Sequence, residues 1–167
     1  MSENRTNSES KEAQEEHNLG NHQETQRDHD ERILRFKVRY GKPYDIPFIK
    51  ETWLYSLYNS SVFRHMNKKE FMSYYSNVID SILTNTQTLV RVSYLPDDED
   101  IIISYSVMQH APVANVLHFV YTKKMWRGQD AHKDLLPEFQ YFTHVTDAWI
   151  KLKRKELFNP FLIGTTL

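Results

Sequence analysis

Two features of this 167-residue sequence carry groups that do chemistry near neutral pH. The first is a pair of imidazoles, His118 and His144, each inside a run of strand-forming residues. With an ordinary pKa near 6.5, an imidazole takes and gives a proton at physiological pH. The plainer reading of a lone histidine on a strand is a hydrogen-bonded packing residue, and the sequence leaves both open. The second feature is Lys123-Lys124-Met125-Trp126-Arg127-Gly128, where positive charge gathers at a glycine. The chain has no cysteine, which excludes disulfides, thiolate metal sites and a thiol nucleophile. His17, His22 and His29 stand beside acids, but their spacing fits no compact ligand set, so no metal site is expected.

The elements that must position these groups follow from periodicity. Residues 34–40 alternate, with Leu34, Phe36, Val38 and Tyr40 on one face and Arg35, Lys37 and Arg39 on the other, which predicts a half-buried strand. Asp45 is placed to cap a helix with Pro47 in its first turn, and Ile46, Ile49, Trp53, Leu54 and Leu57 recur at helical spacing. Asn67 followed by Glu70 is a capping arrangement for a second helix, whose stripe runs from Phe71 through Tyr74, Tyr75, Val78 and Ile79 to Leu83. Strands are expected at 88–95 and 101–110, joined by an acidic turn over 96–100. A further strand at 116–122 is apolar on both faces, as a central position requires. Beyond the basic loop a short helix through Leu135 and Leu136 to Pro137 is expected, then a strand at 141–145. A helix starting at Thr146 or Asp147 should carry Ala148, Trp149, Ile150, Leu152 and Leu157 to Asn159-Pro160, with a last strand over 161–163. The order is β-α-α-β-β-β-α-β-α-β, an α/β (α+β) sandwich of one mixed central sheet flanked by helices. Trp53 and Trp149 are expected in the core; Trp126 suits either the mouth of a site or packing under the helix.

Composition divides the chain into two parts. Residues 1–32 contain no aromatic residue, and their apolar side chains are Met1, Ala13 and Leu19. They hold nine acids against four bases, and such a stretch cannot bury enough surface to offset about 1–2 kcal/mol of ordering entropy per residue. A disordered, acidic tail is therefore expected over residues 1–32. Residues 33–167 hold every aromatic residue and form the folded domain, with a modest net positive charge that suits a small polyanion. The longest apolar runs fall short of the roughly 20 residues of a membrane helix, and the N-terminus is polar, so a soluble protein with no membrane association is expected. The missing cysteines fit an intracellular or intravirion setting.

The segment from Leu117 to Leu136, a strand running into Arg127-Gly128 and then a helix with the apolar pair Leu135-Leu136, resembles the GNAT acyltransferase superfamily. The resemblance covers roughly residues 34–163 and implies the GNAT-like three-layer sandwich. It implies that Arg127, Gly128, Gln129, Asp130, Ala131 and His132 form the loop whose backbone N–H groups hold the pyrophosphate of acetyl-CoA. It also implies that the strand edge at Tyr121 and Thr122 pairs with the pantetheine arm, and that an amine acceptor attacks the thioester directly. His118 is then the first candidate for the general base, and His144 the second. Three positions depart from the pattern. Asp130 stands where the second loop glycine belongs, and its carboxylate puts negative charge where an anion should sit. His132 stands at the closing Gly or Ala position. The Tyr that protonates the leaving thiolate in many relatives falls on Leu152, counting from Ala148; Tyr141 lies on another element.

Two further function classes remain open on the sequence. The acidic hairpin and the ending Leu-Phe-Asn-Pro-Phe-Leu-Ile are similar to short GNAT-like proteins of tailed bacteriophages. On that resemblance the chain is a catalytically inactive structural (virion) or host-interaction module, working in the host cytoplasm or virion, with the tail as an arm that orders on another phage or host protein. Nucleic-acid binding rests on Lys151, Lys153, Arg154 and Lys155, a run that reads better as the solvated face of the last helix.

Overall fold

The computed structural model describes residues 36–163 apart from 111, 113, 153 and 154, and the side chains of Ala148, Trp149 and Leu152 are also outside the description. The chain divides into two units, Met1–Phe36 and Lys37–Leu167. The tail expected over residues 1–32, with its three histidines, lies outside the described residues, as does the start of the first expected strand.

Within the second unit, β1 (Lys37–Tyr40), β2 (Thr88–Leu95), β3 (Asp98–His110), β4 (Asn115–Thr122), β5 (Tyr141–Phe142) and β6 (Leu157–Phe158) form a six-stranded sheet in sequence order. Successive strands from β1 to β4 pair antiparallel, whereas β4, β5 and β6 are mutually parallel. The mixed α/β sheet expected from the sequence is the one observed. Helices α1 (Ile46–Tyr58) and α2 (Lys68–Thr84) cover one face. Their buried residues Ile49, Trp53, Leu57, Phe71, Ile79 and Ile82 meet Val92, Tyr105, Val107 and Phe119 of the sheet. Trp53 is fully buried and stacks on Phe119 with ring centroids 5.1 Å apart. On the other face Met108 and Leu117 pack with Phe139, Leu136 and Phe142.

The caps illustrate how local chemistry sets the boundaries. Asn67 accepts hydrogen bonds from the backbone N–H groups of Lys69 and Glu70, satisfying two orphan donors of α2. Asp45 precedes α1 as expected but does not cap it. A 3-10 turn, Pro43–Asp45, leads into the helix, and the carboxylate is claimed elsewhere. It accepts two hydrogen bonds from the Arg39 guanidinium, at 2.6 and 3.0 Å, and one from Lys42 N at 2.7 Å. Arg39 is therefore not on a solvated face, and Tyr40, expected inside, is 68% exposed.

Four expectations are corrected. The helix through Leu135 and Leu136 is replaced by two 3-10 turns, Lys124–Trp126 and Lys133–Leu135. Asp130 adopts φ +58°, which no helix tolerates, and Pro137 disfavours helical geometry at Leu136, so too few residues remain to nucleate a turn of α-helix. The last helix, α3, spans only Asp147–Leu152, and Ile150 faces solvent. Leu157 leaves the helix because its N–H bonds to Gln140 O, making β6 a strand on the open edge of β5. The expected final strand over 161–163 is a 3-10 turn, Pro160–Leu162, because Asn159 caps Phe161 N and Pro160 presets the turn. The strand expected over 141–145 stops at Phe142.

Asp45 is 2% exposed and carries three charge-assisted or backbone hydrogen bonds. Asp45→Asn is expected to destabilise the domain by about 2–3 kcal/mol, read as a lower urea midpoint with unchanged slope; a midpoint equal to wild type would contradict this role.

Candidate functional site

The site begins where strand pairing ends. Strand β4 pairs with β3 from Asn115 to Thr122 with one register shift, at His118; Ser104 lies opposite Thr122 and Val107 opposite Phe119. On its other side it pairs with β5 only at Val116 and Leu117. Lys123 N donates to Ile103 O, so in the alternating antiparallel ladder Tyr121 and Phe119 exchange hydrogen bonds with β3, while Val120 and Thr122 turn theirs away. Beyond Leu117 no described strand meets that outward side. The result is a groove of about 490 Å³. One wall is the free β4 edge from Phe119 to Thr122. Ser56, Asn59 and Ser60 from the end of α1 join Thr146 and Asp147 at the start of α3 on the remaining sides, and Arg127, Gly128 and His132 complete the lining. The volume lies within the range of small-molecule sites.

The loop keeps a backbone suited to its expected task at the positions where its residue types depart. Gly128 has φ +77° and nothing within 4 Å of where a Cβ would project, so the backbone lies open. Asp130 has φ +58°, a left-handed conformation that favours glycine and that aspartate tolerates better than most side chains. The Arg127 Nε donates to Thr122 O at 3.2 Å, which ties the loop to the strand end and leaves the terminal guanidinium nitrogens for a ligand. Of the loop residues singled out in the sequence, Arg127, Gly128 and His132 line the groove, as do Tyr121 and Thr122. Ala131 is buried, and Gln129 turns back to donate to Met125 O. Asp130 is exposed, and neither it nor these two residues line the groove. Trp126 is half-buried in the 3-10 turn before the loop.

His118 and His144 come together, but in the interior rather than in the groove lining. Both are almost fully buried. His118 Nδ1 lies 3.0 Å from Thr143 Oγ1 and its Nε2 3.2 Å from Gln109 Oε1. His144 Nδ1 lies 2.8 Å from the same Thr143 oxygen and 3.1 Å from His118 O, and its ring meets Trp53 edge-on. Burial, reinforced by the neighbouring His144, pushes the His118 imidazole down to about 3. Burial pushes His144 down to about 4, opposed by its bond to the His118 carbonyl. Both rings are neutral at pH 7, and groups this reluctant to be protonated are weak bases.

The opposite wall leaves no local mark in the sequence. Asp147 is one of two candidate caps in the sequence, with Thr146, yet its carboxylate accepts from Ser61 N at 3.1 Å and from the Ser61 hydroxyl, bonds that hold its pKa below the usual carboxylate range. That tie fixes the start of α3 to the loop after α1. Only contact between residues 86 apart in sequence reveals it, and no local pattern reports such a contact.

No known family profile matches the chain, and no curated protein sequence matches it. Among solved structures, a candidate acetyl transferase from Pyrococcus furiosus aligns with 60% of this chain and 68% of its own, at 14% identity and a TM-score of 0.49. A candidate acetyltransferase from Clostridium difficile 630 aligns with 60% and 66%, at 12% identity and 0.42. A transcriptional regulator from Bacillus halodurans C-125 aligns with 60% and 68%, at 15% identity and 0.40. With TM-scores below 0.5, these likenesses assign no activity to this chain.

The two buried imidazoles make acid stability a direct test. In the unfolded chain they take protons near pH 6.5; in the folded chain they resist until about 4 and 3. Stability is therefore complete above pH 6.5 and falls as the pH drops below it, by at most about 1.4 kcal/mol per pH unit for each histidine. The groups facing them, Trp53, Tyr75, Thr143 and Gln109, hold no charge in this range that would offset the loss. Urea unfolding at pH 7 and pH 5 should show the loss, and His118→Gln should reduce it by about 1–2 kcal/mol. Equal stability at both pH values would contradict the assignment.

Proposed function

We propose that the groove binds an acyl-CoA and that the chain is an N-acyltransferase of the GNAT type acting on an amine. The observation that carries this reading is the β4 edge at Val120 and Thr122, which no described strand covers, ending at a loop with two positive-φ residues and a guanidinium. An extended ligand with amide groups pairs naturally with a strand edge that lacks a neighbour. Gly128 leaves its backbone open to a phosphate, and Arg127 offers a planar fork of donors to it. Acetyl-CoA, when bound, supplies an activated thioester. The chain's part is to align it along β4, to hold its charge at Arg127 and to admit an amine between the β4 edge and Asp147. We assign His118 and His144 to packing, because both are buried, hydrogen-bonded and weakly basic. His132 is the imidazole that lines the groove.

Two observations favour a second reading, a domain of this fold without turnover that serves as a binding module for a protein partner. The loop is followed by a three-residue 3-10 turn rather than a helix, so no helix dipole assists an anion, and Asp130 adds a negative charge. Among the described residues no helix is long and apolar enough to cross a membrane.

Thermal unfolding of the full chain with acetyl-CoA separates the two. At 100 times its dissociation constant a ligand stabilises by about 2.7 kcal/mol, a rise of several degrees. Arg127→Ala should weaken the effect at least tenfold in ligand concentration. Asp130→Gly, which relaxes the backbone and removes a like charge, should strengthen binding about fivefold. No shift at millimolar acetyl-CoA would overturn the acyl-CoA reading in favour of the binding module.

A further inference from the structure

The place where β4 and the chain after β5 separate is held by side chains, and their protons can be assigned. Strand β4 carries one extra residue here: Val107 faces Phe119 and Met108 faces Leu117, so His118 has no partner on β3. On the β5 side, Thr143 N donates to Leu117 O, the last main-chain bond of the parallel ladder. Further along, the His118 carbonyl is met by the His144 imidazole, at 3.1 Å, instead of by a main-chain N–H. The ladder is thus capped by an imidazole and cannot zip onward.

A carbonyl oxygen only accepts, so His144 Nδ1 carries the proton, shared between His118 O and Thr143 Oγ1. The Thr143 hydroxyl, accepting from His144, donates its own proton to His118 Nδ1. That leaves the His118 proton on Nε2, where it needs an acceptor. Gln109 Oε1 is there at 3.2 Å, with the Gln109 amide nitrogen turned to Gln87 Oε1. Every proton is fixed by the one before it. Thr143 is the only member that touches both imidazoles, and it is 2% exposed.

We propose that Thr143 is the positioning residue of the groove: its hydroxyl, clasped between His118 and His144, fixes the point at which β4 and the chain after β5 diverge. The clasp explains why two histidines of weak basicity occupy the vertex of a binding groove without lining it. It sets the direction in which residues 143–146 leave the sheet, and so the distance from the β4 edge to Thr146 and Asp147. The proposal rests on the acyl-CoA reading for its consequence in binding, but not for the clasp itself.

Two measurements on the full chain test it. Long-range ¹H–¹⁵N correlation of the wild-type imidazoles at pH 7 should show His118 as the Nε2–H tautomer and His144 as the Nδ1–H tautomer. Any other pair of tautomers would overturn the clasp, whether or not CoA binds. Thr143→Val keeps the shape and removes the hydroxyl. It should raise the CoA dissociation constant at least tenfold and lower the hydrogen-exchange protection of the residue-143 amide, which donates to Leu117 O, while Thr143→Ser stays within twofold of wild type. If wild type binds CoA and Thr143→Val, folded by circular dichroism, binds it within twofold, Thr143 is merely structural and the proposal fails. If wild type does not bind CoA, the acyl-CoA reading fails, and the protection of the residue-143 amide, bonded to Leu117 O, in Thr143→Val against wild type decides the clasp: equal protection overturns it. Should Thr143→Val not fold, the wild-type tautomers and Thr143→Ser carry the test.

Discussion

The parallel ladder between β4 and β5 stops after Leu117 and Phe142, and the rest of the site depends on that stop. A longer ladder would bury the outward N–H and C=O groups of Val120 and Thr122 in the sheet and leave no groove. The antiparallel side of β4 runs unbroken past the same residues, so the strand remains rigid where its edge is free. Rigidity on one side and vacancy on the other let a strand edge serve as a template for an extended ligand. The core enforces the arrangement from below. Trp53 stacks on Phe119 and touches His144, so α1 packs at once on β4 and on the chain that leaves β5.

Much of the architecture was legible in the sequence, because periodicity reports burial. The two apolar faces of β4 and the stripe of α2 required burial, and Val116, Leu117, Phe119, Phe71, Ile79 and Ile82 are buried, whereas Tyr74 of the stripe is 66% exposed. The failures lie where main-chain partners override pattern. Residues 157–158 read as the end of a helix, but the exposed edge of β5 offered hydrogen bonds to Leu157 and Asn159 that helical spacing could not foresee. Asp45 read as a cap, but Arg39 from β1 holds it in a bidentate pair. After the basic loop, the left-handed turn at Asp130 removed the helix that the apolar pair Leu135-Leu136 suggested.

The candidate site was legible in its loop and strand and illegible across the gap. Arg127, Gly128 and the end of β4 are consecutive enough for their roles to be read together. Asp147 and Ser61 are joined only by folding, and nothing near either marks the pairing. The histidines show the complementary case. Their residue type suggested proton transfer, whereas burial and a carbonyl partner fix them as neutral members of a hydrogen-bonded chain. Residue type proposes chemistry; solvent access and partners decide which chemistry remains.

The free edge of β4 is the proposed place where a ligand lies. Amide hydrogen exchange at Val120 and Thr122, followed residue by residue in the full chain with and without saturating acetyl-CoA, measures that edge directly. Both amides should exchange rapidly in the free protein and slow by at least an order of magnitude with ligand, while Tyr121, already bonded to β3, changes little. Slow exchange at Val120 and Thr122 in the free protein, or no protection on saturation, would contradict the claim that this edge is the binding surface.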